Sequence, residues 1–112
     1  MQADRLTSAM LIGVLVRRAA AAGGFATVLV KGDEISGVIL IEAAEKGQFA
    51  GLFERVSDFA GGYRMERCGP AAEEGTDSLN QYLARRRRSD PDLWVIELDI
   101  ADAERFAAET IC

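Results

Sequence analysis

The sequence predicts an α+β fold: a mostly antiparallel sheet of about five strands, with helices packed mainly on one face, in the order α-β-β-β-β-α-β-α. Three observations carry this reading. Strand-like segments follow one another without alternating helices, which argues against a doubly wound fold. Their connections are short and glycine-bearing, as in an antiparallel meander. Helical patterns open the chain and flank its last strand.

The first helix is expected from about Leu6 to Ala22, stopped by Gly23-Gly24 as a C-cap. Its apolar residues face several directions: Leu6 and Met10 one way, Leu11 and Leu15 another, Ile12 and Val16 a third. A helix apolar all round is buried on several sides. Met10, Leu11, Val14 and Leu15 are therefore candidates for an interface with a second subunit.

Strands follow at Phe25–Lys31, Gly37–Glu42, Gln48–Arg55 and Tyr63–Arg67. Gly32-Asp33 after the first is a hairpin turn signal. Gly37-Val-Ile-Leu-Ile-Glu42 is nearly all apolar, as expected of a central strand covered on both faces. Cys68 to Gly75 reads as a loop. A second helix is expected from about Asp77 to Arg88, capped by Thr76 or Asp77, with Leu79, Tyr82 and Leu83 as its apolar stripe. Pro91 disfavours helical geometry at Asp90 and so ends it. A fifth strand, Leu93 to Asp99, sets Trp94, Ile96 and Leu98 on one face and Val95, Glu97 and Asp99 on the other. Trp94 reads as a core anchor. A short helix from about Asp102 to Thr110 closes the chain.

The 112 residues fit one domain spanning residues 1–112, large enough for one modest core. Net charge is −5, which repels nucleic acid unless the bases cluster. Histidine is absent. That excludes Ser-His-Asp and Cys-His catalysis within one chain, and histidine-containing zinc sites. Cys68 and Cys112 are too far apart for a paired-cysteine metal motif. Two scattered cysteines fit a reducing cytoplasm. The run Ala9-Met-Leu-Ile-Gly-Val-Leu-Val16 has signal-peptide length, but Asp4 precedes it and Arg17-Arg18 follow, so it is read as core. It is also too short to span a bilayer.

Arg5-Leu-Thr-Ser with Arg17-Arg18, Gly24-Phe-Ala-Thr-Val, Lys31-Gly-Asp33 with Gly37-Val-Ile-Leu40, and above all Asp90-Pro-Asp-Leu-Trp-Val-Ile-Glu97 carry a family likeness. Over nearly its whole length the chain resembles the bacterial family catalogued as domain of unknown function 1491, found mainly in alphaproteobacteria. The resemblance implies a small cytoplasmic domain with no assigned activity, cofactor or partner. It brings no functional residues with it.

Candidate chemistry then rests on the residues. Arg85, Arg86, Arg87 and Arg88 form a candidate anion-binding cluster, helped by Arg64 and Arg67 and by stacking on Tyr63 or Tyr82. Against this, consecutive helical residues fan over about 300°, so the four cannot all face one ligand. Cations at a helix C-terminus also serve the macrodipole. Glu97 and Asp99 share a strand face about 7 Å apart, and Glu42, Glu54 and Glu66 can join them. Such acids either do chemistry or pair with Arg55, Arg64 or Arg67 across strands, and the second is favoured. Cys68, beside Arg67, reads as a small half-buried residue rather than a nucleophile. Gly23-Gly24 and Gly61-Gly62 match no phosphate loop. No catalytic residue, metal site or cofactor is assigned. The expectation is a non-enzymatic cytoplasmic domain acting through protein–protein contact, as a homodimer or with another protein. The alternatives are an anion or nucleic-acid module at Arg85–Arg88, nucleic acid being disfavoured by net charge, and lastly a carboxylate- or cysteine-dependent enzyme. No membrane association is expected.

Overall fold

The computed structural model describes residues 6–112; Asp4 and Arg5, used above, lie outside the described residues. The elements are α1 (Ser8–Ala21), β1 (Phe25–Val30), β2 (Ile39–Glu45), β3 (Gln48–Ser57), β4 (Tyr63–Cys68), α2 (Gly75–Ser89), β5 (Trp94–Asp99) and α3 (Ala103–Ile111). They follow the expected order and give an α+β fold with a five-stranded sheet.

The strand order is β1-β5-β2-β3-β4. Only the β2–β5 pair is parallel. The expected meander holds for β2, β3 and β4 but not for β1. Gly32-Asp33 does not close a hairpin: β1 pairs with β5, which lies between β1 and β2. The physical reason lies in β5. Val95, Ile96 and Leu98 are fully buried and Trp94 nearly so, on alternating faces. A strand apolar on both faces belongs in the sheet interior. Each such side chain contributes about 1.5–3 kcal/mol by leaving water.

The segment from residue 31 to 38 crosses over the start of β5 instead of turning back. Trp94 Nε1 donates to the Asp33 carbonyl at 2.7 Å. The Asp33 amide donates to the Asp92 carbonyl at 3.0 Å. The Asp33 carboxylate accepts from the Ile35 and Ser36 amides, which folds the crossing tightly. Two glycines allow the close approach. A Cβ at Gly32 or Gly37 would stand 2.1 or 2.3 Å from the Asp92 carbonyl oxygen.

α1 is capped by Thr7, whose side chain accepts from the Met10 amide. At its other end the Gly24 amide donates to the Ala19 carbonyl, so the expected glycine cap is present. α1 and α3 pack together on one sheet face, over a core that includes Leu11, Ile12, Leu15, Ile41, Phe53, Ile96, Leu98 and Ala107. α2 lays Leu79, Tyr82 and Leu83 on the opposite face, against Leu40, Leu52, Leu93 and Val95. Two of the three helices thus share a face.

The start of α2 differs from expectation. A 3-10 turn at Ala72–Glu74 precedes it, and neither Thr76 nor Asp77 is the cap. The chain bends at Gly75 (φ 86°), while Glu74 folds back to accept from the Ala71 amide at 2.8 Å. Asp77 instead lies in the first turn, where its charge favours the helix dipole.

Gly32→Ala and Gly37→Ala should each cost about 1–3 kcal/mol in urea unfolding, as overpacked sites do. Gly62→Ala, which has open space around it, should leave stability unchanged.

Candidate functional site

The arginine run at the end of α2 is divided by helical geometry. Arg86 turns towards the sheet. Its Nη1 donates to Glu54 Oε1 on β3 at 3.0 Å and to the Tyr82 hydroxyl at 2.9 Å. Burial pulls the Arg86 pKa down, but the bonds to Glu54 and Tyr82 outweigh it and hold the pKa above its ordinary value. This half-buried pair ties α2 to β3 and serves the fold. Arg85 lies 5.8 Å from the Tyr82 ring centre and lines a cleft with Gly69, Pro70, Glu74 and Gln81. Arg87 and Arg88 face another cleft of about 440 Å³, which they share with Lys31. Its remaining lining is Val30, Ala84, Pro91 and Leu93. Arg64 and Arg67, on β4, are elsewhere: Arg64 pairs with Glu66 at 2.8 Å, and Arg67 lies over Phe53.

The acids are divided as well. Asp99 accepts from the Lys46 and Gly47 amides, both at 2.8 Å, and so caps the β2–β3 turn, where Lys46 has φ 53°. Glu54 is held by Arg86, and Glu66 by Arg64. Glu42 and Glu97 stand side by side across the β2–β5 pair. Burial first, and the Glu97 charge second, push the Glu42 carboxyl above its ordinary value of 4.5. Among the described residues no three histidine, cysteine or acidic side chains are grouped to hold a metal. Arg55 donates to the Ile111 carbonyl at 2.7 Å and stacks on Tyr63 at 3.6 Å. It braces the C-terminal helix rather than meeting an acid.

Cys68 points to the α2 side of the sheet, among Leu52 and Tyr82. Burial pushes its thiol pKa up, and the nearby Tyr82 and Arg86 do not reverse this. A thiol held protonated is a poor nucleophile at neutral pH. Cys112 is also free, and its thiol too is pushed up, chiefly by burial.

The four candidate interface residues separate. Leu11 is 3% exposed and Leu15 0%, so both belong to the chain's own core and are unavailable to a partner. Met10 is 48% exposed and Val14 is half-buried. The apolar surround of α1 is met by the sheet and by α3. A different apolar surface emerges on the outer strand β1, where Phe25, Val28 and Leu29 are exposed. It has a sequence signal: no charged residue occurs from Ala19 to Val30. Lys31 also escaped notice, because the crossing that brings it to Arg87 and Arg88 depends on strand order.

The fold and surface thus describe a small α+β domain in which Asp33, Glu54, Arg55, Arg86 and Asp99 serve as braces and turn caps. The profile described as Protein of unknown function (DUF1491) matches residues 6–108, and the chain belongs to that family. The fold is similar to the crystal structure of a DUF1491 family protein from Caulobacter crescentus CB15. The two share 30% identity and a TM-score of 0.77, over 90% of this chain and 94% of that one. An NMR structure of a DUF1491 family protein from the same organism gives 30% identity and a TM-score of 0.73, over 91% and 92%. A solution structure of a protein from A. tumefaciens gives 31% identity and 0.66, over 86% of each chain. No curated protein matches the chain. No described helix is long and apolar enough to cross a membrane.

The Glu42 shift has a testable sign. A carboxyl pKa raised by folding means the native state holds the proton more tightly than the unfolded chain. This contribution is full below about 4.5 and is lost as pH rises through the folded pKa. Glu42→Gln should therefore stabilise the protein at pH 7 by up to about 1 kcal/mol, the scale of a like-charged neighbour on a sheet. Thermal melts should show the gain vanish below pH 4.5.

Proposed function

We propose that this protein is a non-enzymatic domain that works through protein–protein contact, pairing with a second copy along β1. The carrying observation is the contrast between the two sheet edges. β4, one edge, carries Arg64, Glu66 and Arg67. β1, the other, is uncharged and exposes Phe25 (72%), Val28 (42%) and Leu29 (48%). Sheet edges are ordinarily blunted by charge, proline or bulges, because unpaired N–H and C=O groups invite pairing. β1 has neither charge nor proline; its one such device is the bulge-like register shift between Val28 and Val30, near its end. Two copies related by a twofold axis can pair these strands antiparallel, satisfying both sets of backbone groups and covering the apolar side chains. Met10 and Val14 on α1 are the part of the earlier interface set still open to contact.

A non-enzymatic role is supported by the lack of histidine and by the engagement of Asp99, Glu54, Glu66 and Arg86 in structural bonds. The two free cysteines support a reducing compartment, the cytoplasm.

Light scattering across a concentration series tests the pairing. The expected mass is that of two chains, falling to one chain in Leu29→Lys, while Glu66→Lys on the opposite edge leaves it unchanged. A single-chain mass at every concentration would refute the proposal.

A further inference from the structure

We propose that the cleft between the end of β1 and the end of α2 binds a small ligand that joins a phosphate group to a compact apolar body. Lys31, Arg87 and Arg88 line it, and Val30, Ala84, Pro91 and Leu93 supply the apolar part. Its volume of about 440 Å³ lies within the range of small-molecule sites.

The argument rests on how the cations are used elsewhere. Among the described residues, the ion pairs are Arg64–Glu66, Arg86–Glu54 and Arg105–Glu109. None involves Lys31, Arg87 or Arg88. Three unpaired cations from two distant parts of the sequence thus converge on one concavity, and no acid lines it. Two other clefts with several charged residues mix the signs. Arg85 shares its cleft with Glu74. The cleft beside Cys112 sets Arg64 and Arg105 against Asp102 and Glu104. In a chain of net charge −5 the three bases that line this cleft have no acid among the other lining residues, although Asp90 and Asp92 flank Pro91 in sequence.

The chemistry of the lining selects the ligand. Two guanidinium forks and an ammonium match the oxygens of a phosphate. The apolar residues favour a ligand with a hydrophobic body over a bare ion. The C-terminal end of α2 carries the negative pole of the helix dipole and works against an anion. Binding must therefore come from the three side chains, which makes it sensitive to each of them.

The test is an amide NMR titration with phenyl phosphate and, separately, with inorganic phosphate. The expected result is saturating shifts at Lys31, Arg87, Arg88 and Leu93, with phenyl phosphate binding more tightly than phosphate. Lys31→Gln and Arg87→Gln should each weaken binding about tenfold, the loss of one charge-assisted hydrogen bond. Both residues are exposed, so neither change disturbs the core. Arg85→Gln should leave binding unchanged. The proposal is overturned if neither probe shifts these amides, if inorganic phosphate binds as well as phenyl phosphate, or if Arg85→Gln weakens binding as much as Arg87→Gln does. Because Val30 and Lys31 adjoin β1, the mass of each variant is measured beside its titration: weakened binding at an unchanged mass reports the cleft, and a changed mass reports the pairing.

Discussion

The placement of β5 between β1 and β2 is the constraint on which the rest of the molecule depends. The strand is made late in the chain, yet together with β2 it forms the buried centre of the sheet. Because Trp94, Ile96 and Leu98 face α1 and α3 while Val95 faces α2, the two apolar layers meet through it. Its insertion parts β1 from β2 and forces residues 31–38 to cross its beginning. The Trp94 indole and the Asp92 carbonyl hold that crossing in place. Two further features follow from the same event. β1 is displaced to the sheet edge with its apolar side chains exposed, and Lys31 is carried to the end of α2.

Several charged side chains serve the structure. The Glu54–Arg86–Tyr82 bonds fasten α2, whose contact with the sheet otherwise rests on a few long side chains. Asp99 spends its carboxylate on the β2–β3 turn. Arg55 reaches the last turn of α3. What is left over is sorted by location rather than by sequence. Glu42 and Glu97 crowd each other on the sheet, and Lys31, Arg87 and Arg88 gather around one cleft.

Much of the fold was legible in the sequence because it is written locally. The alternation of Trp94 to Asp99 assigned its two faces correctly, and the apolar run at Gly37–Glu42 identified a strand covered on both sides. Pro91 marked the end of α2. The pairing partner of β1 was not legible. Gly32-Asp33 has the composition of a hairpin turn, and only the packing demand of a later strand overrides it. The candidate site fared similarly. Helical fanning foretold that the four arginines would separate, but which neighbour each would meet depended on strand order. The circumferential apolarity of α1 was real, yet its second cover is α3, a contact too distant in sequence to infer.

The most direct measurement of the central claim is amide hydrogen exchange of β1 at low and high protein concentration. Amides of β1 that are not bonded to β5 should exchange quickly when dilute and become protected when concentrated, while β4 amides stay unchanged and β5 amides stay protected throughout. Concentration-independent exchange along β1 would contradict the account. It would mean that the exposed strand created by the insertion of β5 is simply a solvated edge.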